Sequence, residues 1–173
     1  MSRAREPFEV TVEDAAGADA EALSLLHGAA MLPQGEEAWS AASIARLIAS
    51  PAALCLIARP ETGGAPVGMV LAFAAVDEAE ILTLCVAPDW QRRGIARQLL
   101  RTLERRLLVV HGTRHLHLDV RASSDAARAL YRVTGFIETV RRKGYYTSPD
   151  GGPAEDAVLM VKELQLMDEA QLR

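Results

Sequence analysis

The chain predicts an α/β fold, a central mixed, mostly antiparallel sheet flanked by helices on both faces, and three observations carry that expectation. Apolar strand-like runs alternate with amphipathic helical segments along the chain. Hairpin-type turns fall in both halves, which makes the sheet mixed rather than purely parallel. With 173 residues, 50% of them hydrophobic, there is enough chain for one well-packed core and too little for two. Residues 1–173 are therefore read as a single domain.

In order, Phe8–Val12 alternates apolar and polar residues like a strand, and Asp19–Met31 follows with Ala22, Leu25, Leu26 and Ala29 at helical spacing. Pro33-Gln34-Gly35 breaks the chain before a second helix, Ser40–Ser50, with Ser40 as N-cap and Pro51 as stop. Two antiparallel strands, Ala53–Arg59 and Pro66–Val76, flank the turn Glu61-Thr62-Gly63-Gly64. A turn at Asp77-Glu78 leads into a strand over Ala79–Val86, and a long helix is expected over Gly94–His111, ended by Gly112-Thr113. His115–Val120 reads as a strand with Leu116, Leu118 and Val120 on one face and His115, His117 and Asp119 on the other. Ser124–Thr134 is a short helix ended by Gly135 at a left-handed cap position. Strands at Glu138–Tyr145 and Ala157–Glu163 complete the pattern around a Pro- and Gly-rich loop, Ser148–Ala154.

Composition narrows the function. A net charge of −4 argues against a nucleic-acid binder that relies on bulk positive charge. The longest mostly apolar stretch, Pro66–Val76, is well short of the roughly 18 residues of a membrane span. Met1–Pro7 carries no apolar signal-peptide core, so no membrane partner is expected and the expected compartment is the cytoplasm. Cys55 and Cys85 both lie inside apolar runs and read as reduced, buried thiols. A catalytic Cys85 would need an activating partner, and none stands near it in sequence.

The densest signal is Ala87–Arg97, which joins a buried strand to an amphipathic helix. Ile95, Leu99, Leu103 and Leu107 recur at helical spacing, so the helix presents its first unpaired N–H groups at the loop. Gly94 lets a ligand approach the backbone with no Cβ in the way, and Arg92, Arg93 and Arg97 add positive charge there. A phosphate suits such a place. Arg101, Arg105 and Arg106 read as a solvated helix face.

His115, His117 and Asp119 share a strand face about 6 to 7 Å apart at alternate positions, a spacing that two imidazoles and a carboxylate around one ion could use. No convincing fourth ligand stands nearby in sequence, and the expectation is that no metal is required.

The spacing Gln91-x-x-Gly94-x-Ala96 resembles the acetyl-CoA signature Q/R-x-x-G-x-G/A of the GNAT superfamily of N-acetyltransferases. The run Leu118-Asp119-Val120-Arg121-Ala122-Ser123-Ser124, through Ala129-Leu130-Tyr131 to Gly135-Phe136, resembles L-E-V-R-x-S-N … A-L-Y-x-x-x-G-F of the bacterial RimI-type alanine N-acetyltransferases. Arg142–Tyr146 and Glu155–Met160 are similar to the same group's tail, so the resemblance runs from about Pro66 to Leu164. It departs at two places: the family's general-base Glu is Asp119 here, and its cofactor-side Asn is Ser124.

What the resemblance implies is an acetyl-CoA-dependent enzyme of GNAT fold, acting on a peptide or protein N-terminus, a ribosomal protein included. Leu84, Cys85 and Val86, Arg92 to Arg97 with Gly94, Ile95 and Ala96, and Ser124 would serve the cofactor. Asp119 would be the base, through a water that fills the missing methylene, and Tyr131 would meet the leaving thiolate. Tyr145 and Tyr146 would grip the peptide, strand alternation putting one of them on the substrate side; Trp39 is a weaker candidate. A GNAT enzyme for a small-molecule amine or a lysine side chain has the same cofactor half. A degenerate acyl-CoA-binding module is the alternative from another class.

Overall fold

A computed structural model describes residues 9–147 and 152–165. Phe8, the Met1–Pro7 segment and Ser148–Gly151 lie outside the described residues. The elements run β1 (Val10–Asp14), α1 (Ala20–Met31), α2 (Ala41–Ile48), β2 (Ala53–Pro60), β3 (Gly68–Ala75), β4 (Glu78–Val86), α3 (Ile95–Arg106), β5 (His115–Arg121), α4 (Asp125–Val133), β6 (Ile137–Tyr146) and β7 (Glu155–Glu163). The seven strands follow the order β1-β2-β3-β4-β5-β7-β6. β1 and β2, β5 and β7, and β6 and β7 pair antiparallel, while β4 and β5 pair parallel. This is the mixed, mostly antiparallel sheet with flanking helices that the alternation of patterns predicts.

The chain forms two compact units, one of residues 1–71 and 83–102, the other of 72–82 and 103–173. In the first, Leu23, Ile44, Leu56, Ile57, Met69, Leu71 and Leu99 are fully buried. Ser40 caps α2 as expected, its side chain accepting from the Ser43 N–H. Gly68 admits the start of α3 to the sheet, because a Cβ there would stand 3.1 Å from both Ile95 Cγ2 and Leu99 Cδ1.

One helix face differs from the sequence reading. α1 buries Ala20, Leu23, Leu26, His27 and Ala30, while Leu25, counted on the apolar side, is 77% exposed. The helix is rotated because His27 is a core residue. Its ring stacks on Trp39 with centroids 4.8 Å apart, and its Nδ1 accepts the Trp39 N–H at 3.3 Å. Burial pulls the His27 pKa down, against an opposing pull from Glu36, so the neutral ring packs like a hydrophobe.

In the second unit the core is Leu103, Leu107, Leu116, Leu118 and Met160. Ile95, Leu99, Leu103 and Leu107 are all buried, as their spacing predicts. Regular helix nevertheless ends at Arg106 and widens into a π turn, Leu107–His111, closed by left-handed Gly112 at φ 66°. Lys162 on β7 donates to Glu104 Oε2 at 2.7 Å and to the Thr134 carbonyl at 2.6 Å, tying α3 and the end of α4 to the sheet. No helix of the described residues is long and apolar enough to cross a membrane.

Candidate functional site

The loop between β4 and α3 belongs to the first unit. Gln91 Nε2 donates to the Val86 carbonyl at 3.1 Å, and the Ala87 N–H donates to Val67 O at 2.8 Å. The loop is thereby fastened to the strand it leaves. Arg92 and Gly94 both take positive φ, 61° and 84°, which curls the backbone just before the helix. Such curled segments turn successive N–H groups toward one point. The Gln98 N–H reaches the Gly94 carbonyl at 3.0 Å, making Gly94 the first carbonyl of α3. The N–H groups of Ile95, Ala96 and Arg97 stand in the positions that have no partner within the helix.

A Cβ placed on Gly94 would find nothing within 4 Å, so a ligand can approach this backbone. That is the fit expected of a phosphate cradle. Arg92, Arg93 and Arg97 are exposed around it. Arg93 Nη2 donates to the Asp89 carbonyl at 2.9 Å and its guanidinium lies 5.1 Å over Trp90, so it also braces the turn. On the strand, Cys85 and Val86 are buried and Leu84 half-buried. Burial pushes the Cys85 thiol up to about 12, only partly opposed by a backbone hydrogen bond at Met69. The thiol is kept protonated, as the reading of a structural cysteine requires, and Cys55 and Cys85 are both free.

The second unit holds the polar face of β5. Leu116, Leu118 and Val120 point into the core, leaving His115, His117 and Asp119 half-buried on the other face, as alternation predicts. Asp119 has an 11% exposed side chain, and its Oδ2 accepts Arg142 Nη1 at 3.0 Å. Its Oδ1 is buried without a hydrogen-bond partner. The His115 and His117 rings are 6.5 Å apart, and His117 Nε2 stands 3.8 Å from Glu78 Oε1. No group of three His, Cys, Asp or Glu residues among those described is placed to hold a metal ion.

The β5–α4 junction is fixed by ion pairs. Glu155 takes the Ser123 N–H at 2.9 Å and Arg121 Nη1 at 3.0 Å. Arg128 pairs with Glu138 through Nε and Nη2 at 2.9 and 3.1 Å and reaches the Ala122 carbonyl at 2.8 Å. Ser124 is the N-cap residue of α4, but its side chain makes no cap bond. Tyr131 is nearly buried, its ring edge-on to Phe136 at 5.5 Å.

The two tyrosines of β6 do not follow simple alternation. The β6–β7 register slips between Arg142 and Tyr146, and Gly144 sits in the slip at φ 61°. The Tyr145 and Tyr146 rings consequently meet edge-on at 5.2 Å instead of pointing to opposite faces. Arg142 lies 5.4 Å over Tyr145 and Arg121 4.3 Å over Tyr146. Trp39 is accounted for by its stack on His27, with its carbonyl accepting Ser24 Oγ at 2.7 Å. Sequence reasoning missed Arg142 and His27, whose contacts join residues 23 and 12 positions apart.

Known proteins are similar to this chain in sequence and in fold. The sequence profile of the acetyltransferase (GNAT) family matches residues 23–136. The [ribosomal protein bS18]-alanine N-acetyltransferase of Escherichia coli K12 is 41% identical over 103 residues, 57% of this chain and 68% of that protein. The N-alpha-acetyltransferase RimI of Mycobacterium tuberculosis is 37% identical over 150 residues, 84% of this chain and 89% of its own. The crystal structure of the ribosomal-protein-S18-alanine N-acetyltransferase from E. coli superposes with a TM-score of 0.78 at 30% identity, covering 93% of this chain and 97% of that one. The chain belongs to the acetyltransferase (GNAT) family and is an N-acetyltransferase by that membership.

Proposed function

We propose that this chain transfers the acetyl group of acetyl-CoA to the free α-amino group of a peptide or protein, by direct attack and without a covalent acetyl-enzyme. The observation that carries the reading is the 37% identity with an N-alpha-acetyltransferase over 84% of the chain. A ribosomal protein N-terminus is the first substrate to try. The family profile draws on residues of both units, which supports reading residues 1–173 as one acetyltransferase domain. Two free thiols suit the reducing cytoplasm.

Acetyl-CoA supplies the acetyl group as a thioester, activated for attack by an amine. The N–H groups opening α3, with Arg92 and Arg97, hold its pyrophosphate, and Ser124 offers a further hydrogen bond. A backbone N–H of Leu84–Val86 meets the carbonyl oxygen as it gains charge. An α-amine has a pKa near about 8, so part of it is neutral at physiological pH and modest base help is enough. Asp119 Oδ1 gives that help through one water, taking the proton as the C–N bond forms and the C–S bond breaks. Tyr131 hydrogen-bonds the departing thiolate; full proton transfer from a phenol near 10 to a thiolate whose thiol has a pKa near 8.5 is uphill by roughly 2 kcal/mol, so stabilisation is its main contribution. Tyr145 and Tyr146 line the peptide.

The test compares rates across pH. Asp119→Asn is expected to lose most activity at low pH, where neutral amine is scarce, the deficit shrinking toward the amine's pKa. Tyr131→Phe is expected to lose activity about equally at every pH. An Asp119→Asn enzyme matching the wild type throughout would remove the carboxylate from the reaction.

A further inference from the structure

We propose that Arg142 is a specificity-determining residue: its guanidinium is a fixed cation beside the substrate amine, favouring amines that deprotonate easily and turning away those that stay charged. The proposal rests on the reading that Asp119 faces that amine. Asp119 has two oxygens in different states, Oδ2 bound to Arg142 Nη1 at 3.0 Å and Oδ1 buried with no hydrogen-bond partner. Both oxygens therefore belong to a carboxylate whose charge is already matched by Arg142.

Arg142 reaches Asp119 diagonally across β7, since Asp119 stands opposite Leu159 while Arg142 stands opposite Ala157. Between those two positions β7 contributes only the apolar Ala157, Val158 and Leu159, and its carboxylates Glu155 and Asp156 are engaged by other arginines. Among the other polar neighbours in this unit, Arg121 is engaged by Glu155 at 3.0 Å and Arg141 by Asp156 at 2.7 Å, while the His117 ring stands 3.8 Å from Glu78. Tyr145 lies under the Arg142 guanidinium. Arg142 is thus the cation assigned to Asp119.

An unpaired carboxylate would draw a substrate in as its ammonium form, which has no lone pair with which to attack. A cation within about 4 to 6 Å disfavours that form and lowers the amine's pKa. An α-amine near 8 is brought close to neutrality by such a shift, whereas a lysine ε-amine near 10.4 remains protonated. An arginine is always charged in proteins, so the filter does not switch off within the working pH range.

The experiment measures kcat and kcat/KM against pH for the full chain, with a free-N-terminus peptide and an N-blocked lysine peptide. Arg142→Gln and Arg142→Met are expected to move the acid limb of kcat upward by about one pH unit and to cut the preference for the free N-terminus about tenfold. Arg142→Lys, which keeps the charge, is expected to retain both. Acetyl-CoA affinity by calorimetry should be unchanged in all three, which separates a folding defect from the effect. Acid limbs that superimpose on the wild type, or an Arg142→Lys enzyme shifted as far as Arg142→Gln, would overturn the filter while leaving N-terminal acetylation standing. A wild-type enzyme that prefers the lysine peptide would overturn the N-terminal reading and, with it, the claim that Arg142 rejects charged amines.

Discussion

At the scale of single residues, Gly94 bears most directly on the proposed cofactor binding. Its φ of 84° is left-handed and a Cβ there meets nothing within 4 Å. Gly94→Ala therefore adds backbone strain of about 1 to 2 kcal/mol without a clash inside the protein. Gly112, at φ 66° with equally open surroundings, is a matched control for strain. Gly94→Ala is expected to weaken acetyl-CoA at least tenfold by calorimetry and Gly112→Ala to leave it unchanged. Equal affinities would remove the loop from the cofactor site. Gly94 was legible in sequence because its meaning is local: a turn, a glycine and a helix start within a few positions. The Asp119–Arg142 pair was not, because it exists only once β7 lies between β5 and β6. His27 was hidden for another reason: a histidine counts as polar in a periodicity, yet desolvation favours its neutral form and it packs on Trp39.

At the scale of elements, β6 departs furthest from what its pattern predicts. An alternating strand would separate Tyr145 from Tyr146, but the slip at Gly144 brings the rings together. Asp156 holds that slip, accepting the Gly144 N–H at 3.0 Å and Arg141 Nε at 2.7 Å. The Gly144 N–H first, then Arg141, hold the Asp156 carboxyl below its ordinary range. A carboxyl with a depressed folded pKa contributes stability that is fully present above its unfolded value, about 3.9, and is lost as pH falls through the folded one. Thermal midpoints of wild type and Asp156→Asn are accordingly expected to differ at pH 7 and to converge below about pH 4. A difference that persists unchanged into acid would contradict this account of the slip. Periodicity gives the existence and type of β6, while a bulge depends on one backbone N–H finding a carboxylate on the neighbouring strand. The end of α3 is similar: the apolar spacing through Leu107 holds, yet the chain widens there into a π turn that spacing alone does not signal.

At the scale of the whole molecule, the fold class was legible because the alternation of patterns, the strand-loop-helix signal at Ala87–Arg97 and the two-faced β5 agree with one another. The strand order was less so, since the last strand inserts between β5 and β6. The loop proposed to hold the cofactor lies in the first unit, while Asp119, Tyr131 and the tyrosines of β6 lie in the second. The most direct measurement is acetyl transfer from acetyl-CoA to a panel of free-N-terminus peptides, N-blocked lysine peptides and small amines, with the modified nitrogen located by mass spectrometry. The expected result is acetyl on the α-nitrogen, with the highest kcat/KM among the free N-termini. Faster acetylation of a blocked lysine peptide or a small amine than of any free N-terminus would contradict it.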